Sequence, residues 1–143
     1  MIEFVLLVNK QGQTRLAQYT NFKSINERTS LEGEVVRKCL GRNEDQCSFL
    51  EYMNYKLIYR RYASLFFIVG VDNQENELAI LEFIHCLVET FDKYFENVCE
   101  LDVMFNLEKA HFIVEEMMTN GCIVETNKQN ILDPIQKMDQ IVT

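Results

Sequence analysis

The sequence predicts an α+β domain in which helices pack on a mainly antiparallel sheet, in the order ββαβββαα with a short final helix. Three observations carry this expectation. The apolar period switches along the chain between two residues and 3.6. Hairpin signals join successive strands, so sequence neighbours pair antiparallel. One proline and five glycines in 143 residues leave no linker, and no repeat at solenoid or propeller periods occurs, so residues 1–143 form one domain.

Each element follows from its own pattern. Ile2, Phe4, Leu6 and Val8 alternate along a first strand, which breaks at the turn Asn9-Lys10-Gln11-Gly12 before a second strand at about 13–19. Ser24 or Asn26 can cap a helix that runs to about Leu40, with Leu31, Val35, Val36 and Cys39 at helical spacing and Gly41 with Asn43 as its stop. Strands Cys47–Tyr52 and Tyr55–Tyr62 flank the turn Met53-Asn54. Leu65-Phe66-Phe67-Ile68-Val69 is apolar without interruption, which predicts a central strand covered on both faces. A polar loop, Asp72 to Asn76, opens a long helix with a stripe of Leu78, Leu81, Ile84, Leu87, Val88, Phe91 and Phe95. A further helix carries Leu107, Ala110, Val114, Met117 and Met118 and ends at Asn120-Gly121. The tail has helical spacing at Ile131, Ile135 and Met138, with Pro134 expected to kink it or restart it from Asp133.

Composition narrows the function. Apolar residues make up 48% and charged residues 25%, the balance of a chain that folds around its own core. The 22 acidic against 14 basic residues leave a net charge of −8. That disfavours nucleic acid and direct docking on anionic lipid, both of which need a basic surface. Five cysteines without a CxxC pair fit neither a disulfide framework nor a zinc knuckle. The apolar start of the chain carries Glu3 and lacks a basic region and a cleavage site, so it reads as neither signal peptide nor span. The expectation is a reduced, cytosolic protein.

No catalytic pattern stands out. His85 and Cys86 are adjacent on a helix and point about 100° apart, so they form no dyad. His111 has no ligand-type neighbour at metal spacing. Glu82 with Glu89, and Glu115 with Glu116, read as solvated helix face. Phosphate loops and nucleophile elbows are absent, which leaves no enzyme reading and no cofactor. Arg15 and the group Lys56, Arg60 and Arg61 could clamp an anion, against the plainer reading of surface pairing. The apolar residues Phe91, Phe95, Phe105, Met117 and Met118 exceed what one sheet face needs and point to a protein interface.

Leu57–Phe67 (LIYRRYASLFF) resembles the signature of the small (sigma) subunits of adaptor protein complexes. The likeness extends through NKQGQTRL at 9–16, EFIH at 82–85, DKYF at 92–95 and NVCELDVMFN at 97–106. GCIVETN at 121–127 and Asn106-Leu107 look most like the complex-4 branch of that family. The resemblance implies a longin-like fold with a five-stranded antiparallel sheet flanked by helices. It also implies a place in a heterotetramer with the N-terminal solenoid of an epsilon-type large subunit, a second large (beta) subunit and a medium (mu) subunit. An Arf-type GTPase would recruit that complex to trans-Golgi or endosomal membranes.

The family's ligand is the acidic dileucine sorting signal of membrane-protein tails. Carried over by position, Arg15 would face the acidic residue, Tyr62, Ala63, Leu65, Val88, Val98 and Val103 would line the leucine pocket, and Asn97 would bond the peptide backbone. Two buried leucines contribute roughly 3–6 kcal/mol, whereas an exposed Arg–carboxylate contact adds about 0.2–1. On this reading Val98→Asp or Leu65→Ser removes binding and leaves assembly intact. The rival is a stand-alone longin-type regulator of membrane fusion or small GTPases, which would carry an anchor or SNARE segment not found before Thr143.

Overall fold

In a computed structural model, residues 1–42, 48–96, 98–119, 122–123 and 128–142 are described. Five strands, β1 (Ile2–Asn9), β2 (Thr14–Tyr19), β3 (Phe49–Tyr52), β4 (Tyr55–Tyr62) and β5 (Leu65–Val71), form one antiparallel sheet in the order β2-β1-β5-β4-β3. The apolar run in β5 takes the centre of this sheet, as its lack of alternation requires.

The two faces bury different sets of side chains. On one, Phe4, Leu6, Val8, Leu57, Tyr59 and Ile68 meet Val35, Val36 and Cys39 of α1 (Ile25–Leu40). On the other, Val5, Leu7, Leu16, Ile58, Phe67 and Val69 meet α2 (Glu77–Phe95), α4 (Leu107–Met117) and α5 (Lys128–Val142). The sheet is thus the middle of three layers, and its residues alternate between two cores.

The helix starts follow the caps. Ser24 Oγ accepts from Glu27 N–H at 3.2 Å, so Ser24 rather than Asn26 opens α1. Asn76 Oδ1 accepts from Leu78 and Ala79 N–H and opens α2. In the first hairpin Gly12 takes φ +86°, while Asn9 Oδ1 accepts the N–H groups of Gln11 and Gln13.

Gly41 ends α1 as expected, in a right-handed conformation (φ −76°) that returns its N–H to Arg37 O. Other expectations change. Leu78 does not belong to the buried stripe: it is 68% exposed, and Ile80, Phe83 and Thr90 join Ile84, Leu87, Val88 and Phe91 inside. A helix of about 3.6 residues per turn carries one buried face, and Leu78 in the first turn falls outside it. A short helix α3 (Glu100–Phe105) and a small hairpin, β6 (Met118–Thr119) with β7 (Cys122–Ile123), are added between α2 and α5.

The final helix is neither short nor restarted. It runs unbroken through Pro134, which lies on the exposed side, while Ile131, Leu132 and Ile135 are buried. The ring removes one backbone bond on the wet face, and the apolar contacts of the other face hold the helix across it. Asn43, Cys47, the Asn120-Gly121 pair and residues 124–127 lie outside the described residues.

The presumed apolar surplus is mostly core. Phe91, Met117 and Met118 are buried and Phe95 packs against them, leaving only Phe105 exposed from that set. The exposed apolar residues include Leu101, Met104, Phe105 and Leu107 around α3, Phe22 with Ile25 at the start of α1, and the isolated Met1, Met53 and Leu78.

A polar tie joins the three helices of the larger core. Asp139 of α5 accepts from Tyr94 O–H at 2.8 Å and pairs with Lys109 Nζ at 3.0 Å. The Tyr94 hydroxyl first, then Lys109, holds the Asp139 carboxyl below its ordinary value, 3.8. A depressed folded-state value stabilises the fold above the unfolded value and loses that contribution as pH falls through the folded one. Asp139→Asn is therefore expected to destabilise the protein at neutral pH. Urea midpoints of the two proteins should converge as pH drops below about 3.8; a gap that stays constant into that range would refute the tie.

Candidate functional site

The site begins with the register of β1 and β2. Leu7 pairs with Leu16 and Val8 with Thr14, so Arg15 is an extra residue in a β-bulge. A bulge re-aims the side chain it inserts. Here it lets Arg15 reach α3, where Nε donates to Glu100 Oε1 at 2.7 Å and Nη2 donates to Gln13 Oε1 at 2.8 Å.

The neighbouring strands bring in the next residues. Asn9 pairs with Leu65, and Leu65 pairs with Tyr62 across the Ala63-Ser64 turn. Arg15 and Leu65 are thus separated by β1 alone at the same end of the sheet, a span of about 10 Å at the usual strand spacing. Ala63 is exposed and takes φ +53°, and Glu96, which caps α2, takes φ +55°. Non-glycine residues in this region carry a conformational cost, and these two bracket the site.

Asp92 connects the two sides. One carboxylate oxygen accepts the Tyr62 hydroxyl, and the other accepts Val98 N–H at 2.9 Å. It thereby ties the end of β4 to the segment leading into α3. The Tyr62 hydroxyl is held above its usual value chiefly by that bond.

Seven of the eight site residues named from the resemblance fall in this region; Asn97 lies outside the described residues. They do not form an open pocket. Leu65 and Val103 are fully buried, and Val98 and Val88 nearly so, all within the larger core. The open space is a cavity of about 160 Å³ lined by Arg60, Tyr62, His85, Val88, Glu89 and Asp92. Leu65→Ser, proposed above as a clean probe, therefore removes a core side chain and is expected to cost about 2–5 kcal/mol of stability. Val98→Asp buries an unpaired charge and fails for a related reason.

The other cations are dispersed. Lys56 pairs with Glu77 at 3.0 Å, Arg61 Nε donates to Ala63 O at 3.5 Å, and Arg60 lines the small cavity, so the three form no clamp. His85 pairs with Glu89 one turn on, and Cys86 packs against the core. His111 meets Gln18 Oε1 at 3.3 Å, and burial lowers its basicity against the pull of Glu115. Among the described residues no three or more His, Cys, Asp or Glu side chains group to hold a metal, and no helix is long and apolar enough to cross a membrane.

Sequence reasoning missed Glu100, Asp92 and Asn9. Asn9 is 2% exposed, and its Nδ2 donates to Gln13 Oε1 at 2.9 Å and to Glu100 Oε1 at 2.8 Å. The bonds from Asn9 first, then from Arg15, hold the Glu100 carboxyl below the ordinary glutamate value. Both acids sit inside stretches that carry the family likeness, DKYF and NVCELDVMFN, which was the available signal.

Comparison with known proteins agrees with the fold and with these stretches. The chain is 72% identical over 139 residues to the AP-4 complex subunit sigma of Arabidopsis thaliana, covering 97% of each. It is 58% identical over 141 residues to the human AP-4 complex subunit sigma-1, covering 99% of this chain and 98% of the relative. Among structures, it superposes with a TM-score of 0.80 and 32% identity on a chain from a homology model of the full-length AP-3 complex in a stretched open conformation, covering 99% and 95% of the two chains. With residues 1–142 matching the family described as clathrin adaptor complex small chain, this protein belongs to that family.

Proposed function

We propose that this chain is the small subunit of an AP-4-type heterotetrameric adaptor and that it contributes to reading acidic dileucine signals in membrane-protein tails. The observation that carries the reading is the convergence at one end of the sheet of Arg15, the Tyr62–Leu65 turn, Val88, Val98 and Val103. A cation beside apolar side chains suits a peptide that places an acid ahead of two leucines.

The pocket is closed in the free chain, so a leucine pair enters by parting Val88, Val98 and Val103 from one another. Val98, tied through Asp92 to Tyr62 of β4, is one of the walls that this opening displaces. Two buried leucines supply roughly 3–6 kcal/mol toward that opening. Arg15 sets register and selects the acid.

The exposed apolar residues Leu101, Met104, Phe105 and Leu107 support docking on an epsilon-type large subunit, and the beta and mu subunits complete the tetramer. Through that complex, and through an Arf-type GTPase, the chain acts peripherally at trans-Golgi and endosomal membranes. Catalysis forms no part of this role. The rival stand-alone regulator predicts a monomer indifferent to any solenoid.

Co-expression with a large-subunit N-terminal solenoid, followed by size-exclusion chromatography, tests assembly: co-elution is expected, and a well-behaved monomer that ignores the solenoid overturns the reading. Cargo recognition is tested in the assembled complex with Ala63→Asn. Asparagine tolerates the left-handed backbone at this exposed position, so stability holds while a polar amide stands at the pocket mouth. Affinity for an acidic dileucine peptide should fall at least about fivefold, or about 1 kcal/mol. An unchanged affinity would contradict the site assignment.

A further inference from the structure

Arg15 is already engaged. Its Nε and Nη2, the edge that receives a carboxylate side-on, are taken by Glu100 Oε1 and Gln13 Oε1. Its Nη1 meets no acceptor among the described residues. Glu100 does not hold this position through Arg15 alone, because the same Oε1 accepts from Asn9 Nδ2. Asn9 in turn is buried and fixed by five bonds within the β1–β2 turn and to Gln13. Arg15 and Glu100 are each only about a quarter exposed, at 25% and 23%, so solvent screens their charges incompletely.

The geometry points to Glu100 as an internal competitor for Arg15, one that sets how strongly the site discriminates an acidic residue in a bound peptide. This role rests on the peptide-binding reading above. An arriving carboxylate meets a guanidinium whose charge is balanced by an anion 2.7 Å away. If it docks on the outer Nη1 edge, it feels the repulsion of Glu100. If it takes the side-on edge, Glu100 must surrender Arg15 and hold to Asn9 alone. Either way the acid contributes less than it would to an unpartnered arginine, and the leucines retain control of affinity. Glu100 is thus a specificity-determining residue that need not touch the peptide.

The test uses the full chain in its assembled adaptor complex and two peptides: one with Glu ahead of a Leu-Leu pair, and one with Gln in its place. The quantity read is the ratio of their affinities. Glu100→Gln keeps the Oε1 acceptor for Asn9 and removes the charge, so the thermal midpoint should hold near that of the parent. The Glu/Gln ratio should rise about two- to fivefold. Adding Arg15→Ala to Glu100→Gln should return the ratio to about 1, because the gain acts through the guanidinium. Binding of both peptides with an unchanged or lower ratio in Glu100→Gln overturns the role of Glu100 alone. A raised ratio that survives Arg15→Ala overturns it as well. Failure of the parent complex to bind either peptide overturns the dileucine reading, and this inference with it.

Discussion

Gly70→Ala is expected to lower the stability of this protein by about 2–3 kcal/mol. Gly70 lies in β5 opposite Phe4 of β1 and opposite Leu57 of β4. A methyl group there would stand 2.2, 2.3 and 2.7 Å from three atoms of the Phe4 ring. The ring cannot withdraw freely: it is fully buried and packs against Tyr19, with centroids 5.9 Å apart, and Tyr55, at 5.5 Å. Overpacked cores respond by forcing side chains off their rotamers or shifting the backbone. For a chain of this size the thermal midpoint should drop by roughly 5–10 °C. The diagnostic step is the double mutant. Phe4→Leu alone opens a void, but in the Gly70→Ala background it makes room for the methyl, so the two losses should add to less than their sum. Strict additivity in urea denaturation would show that the ring and residue 70 do not press on each other.

The second large effect concerns Asp92. Replacing it by alanine leaves the buried Val98 N–H without its acceptor and releases the Tyr62 hydroxyl. Hydrogen bonds to charged groups are worth about 1.5–3 kcal/mol each, so the loss of the Val98 bond alone is expected to cost about 1.5–3 kcal/mol. The consequence for recognition is larger than the loss of stability implies, because Val98 and Tyr62 are two walls of the candidate site and Asp92 is their common support. Affinity for an acidic dileucine peptide should fall more than about tenfold, or about 1.4 kcal/mol. Asp92→Asn keeps an oxygen for Val98 N–H and should fall between the parent and Asp92→Ala in both measurements. If Asp92→Ala binds the peptide as tightly as the parent complex, the walls do not depend on this tie.

Both predictions concern contacts that bridge distant parts of the chain, and such contacts divide what was legible in the sequence from what was not. The strands Tyr55–Tyr62 and Leu65–Val71 were readable because alternation, or its absence, is written in adjacent residues. The openings of α1 and α2 were readable because Ser24 and Asn76 cap amide groups two or three residues away. Family likeness, which compresses long-range information into local motifs, named seven described residues that do share one end of the sheet. In each of these cases the determining interactions span a few residues, or the motif stands in for them.

The rest was decided where faces meet. Leu78 satisfies a helical stripe by spacing alone, yet is 68% exposed, because the first turn of α2 carries it off the buried face. Pro134 should break a helix in isolation, but the buried Ile131, Leu132 and Ile135 hold the segment against its neighbours. α3 is six residues long, too short for a period to identify it. Arg15 meets Glu100 only because a bulge in β2 turns it toward a helix 85 residues further on. The sequence by itself determined the elements, their order and the family, since those depend on local patterning and on motifs. Only the tertiary structure decided that Leu65, Val98 and Val103 are core rather than open pocket, and that Arg15 already holds a carboxylate. Burial and ion pairing between remote segments are properties of packed surfaces, and no local pattern encodes which surfaces come together.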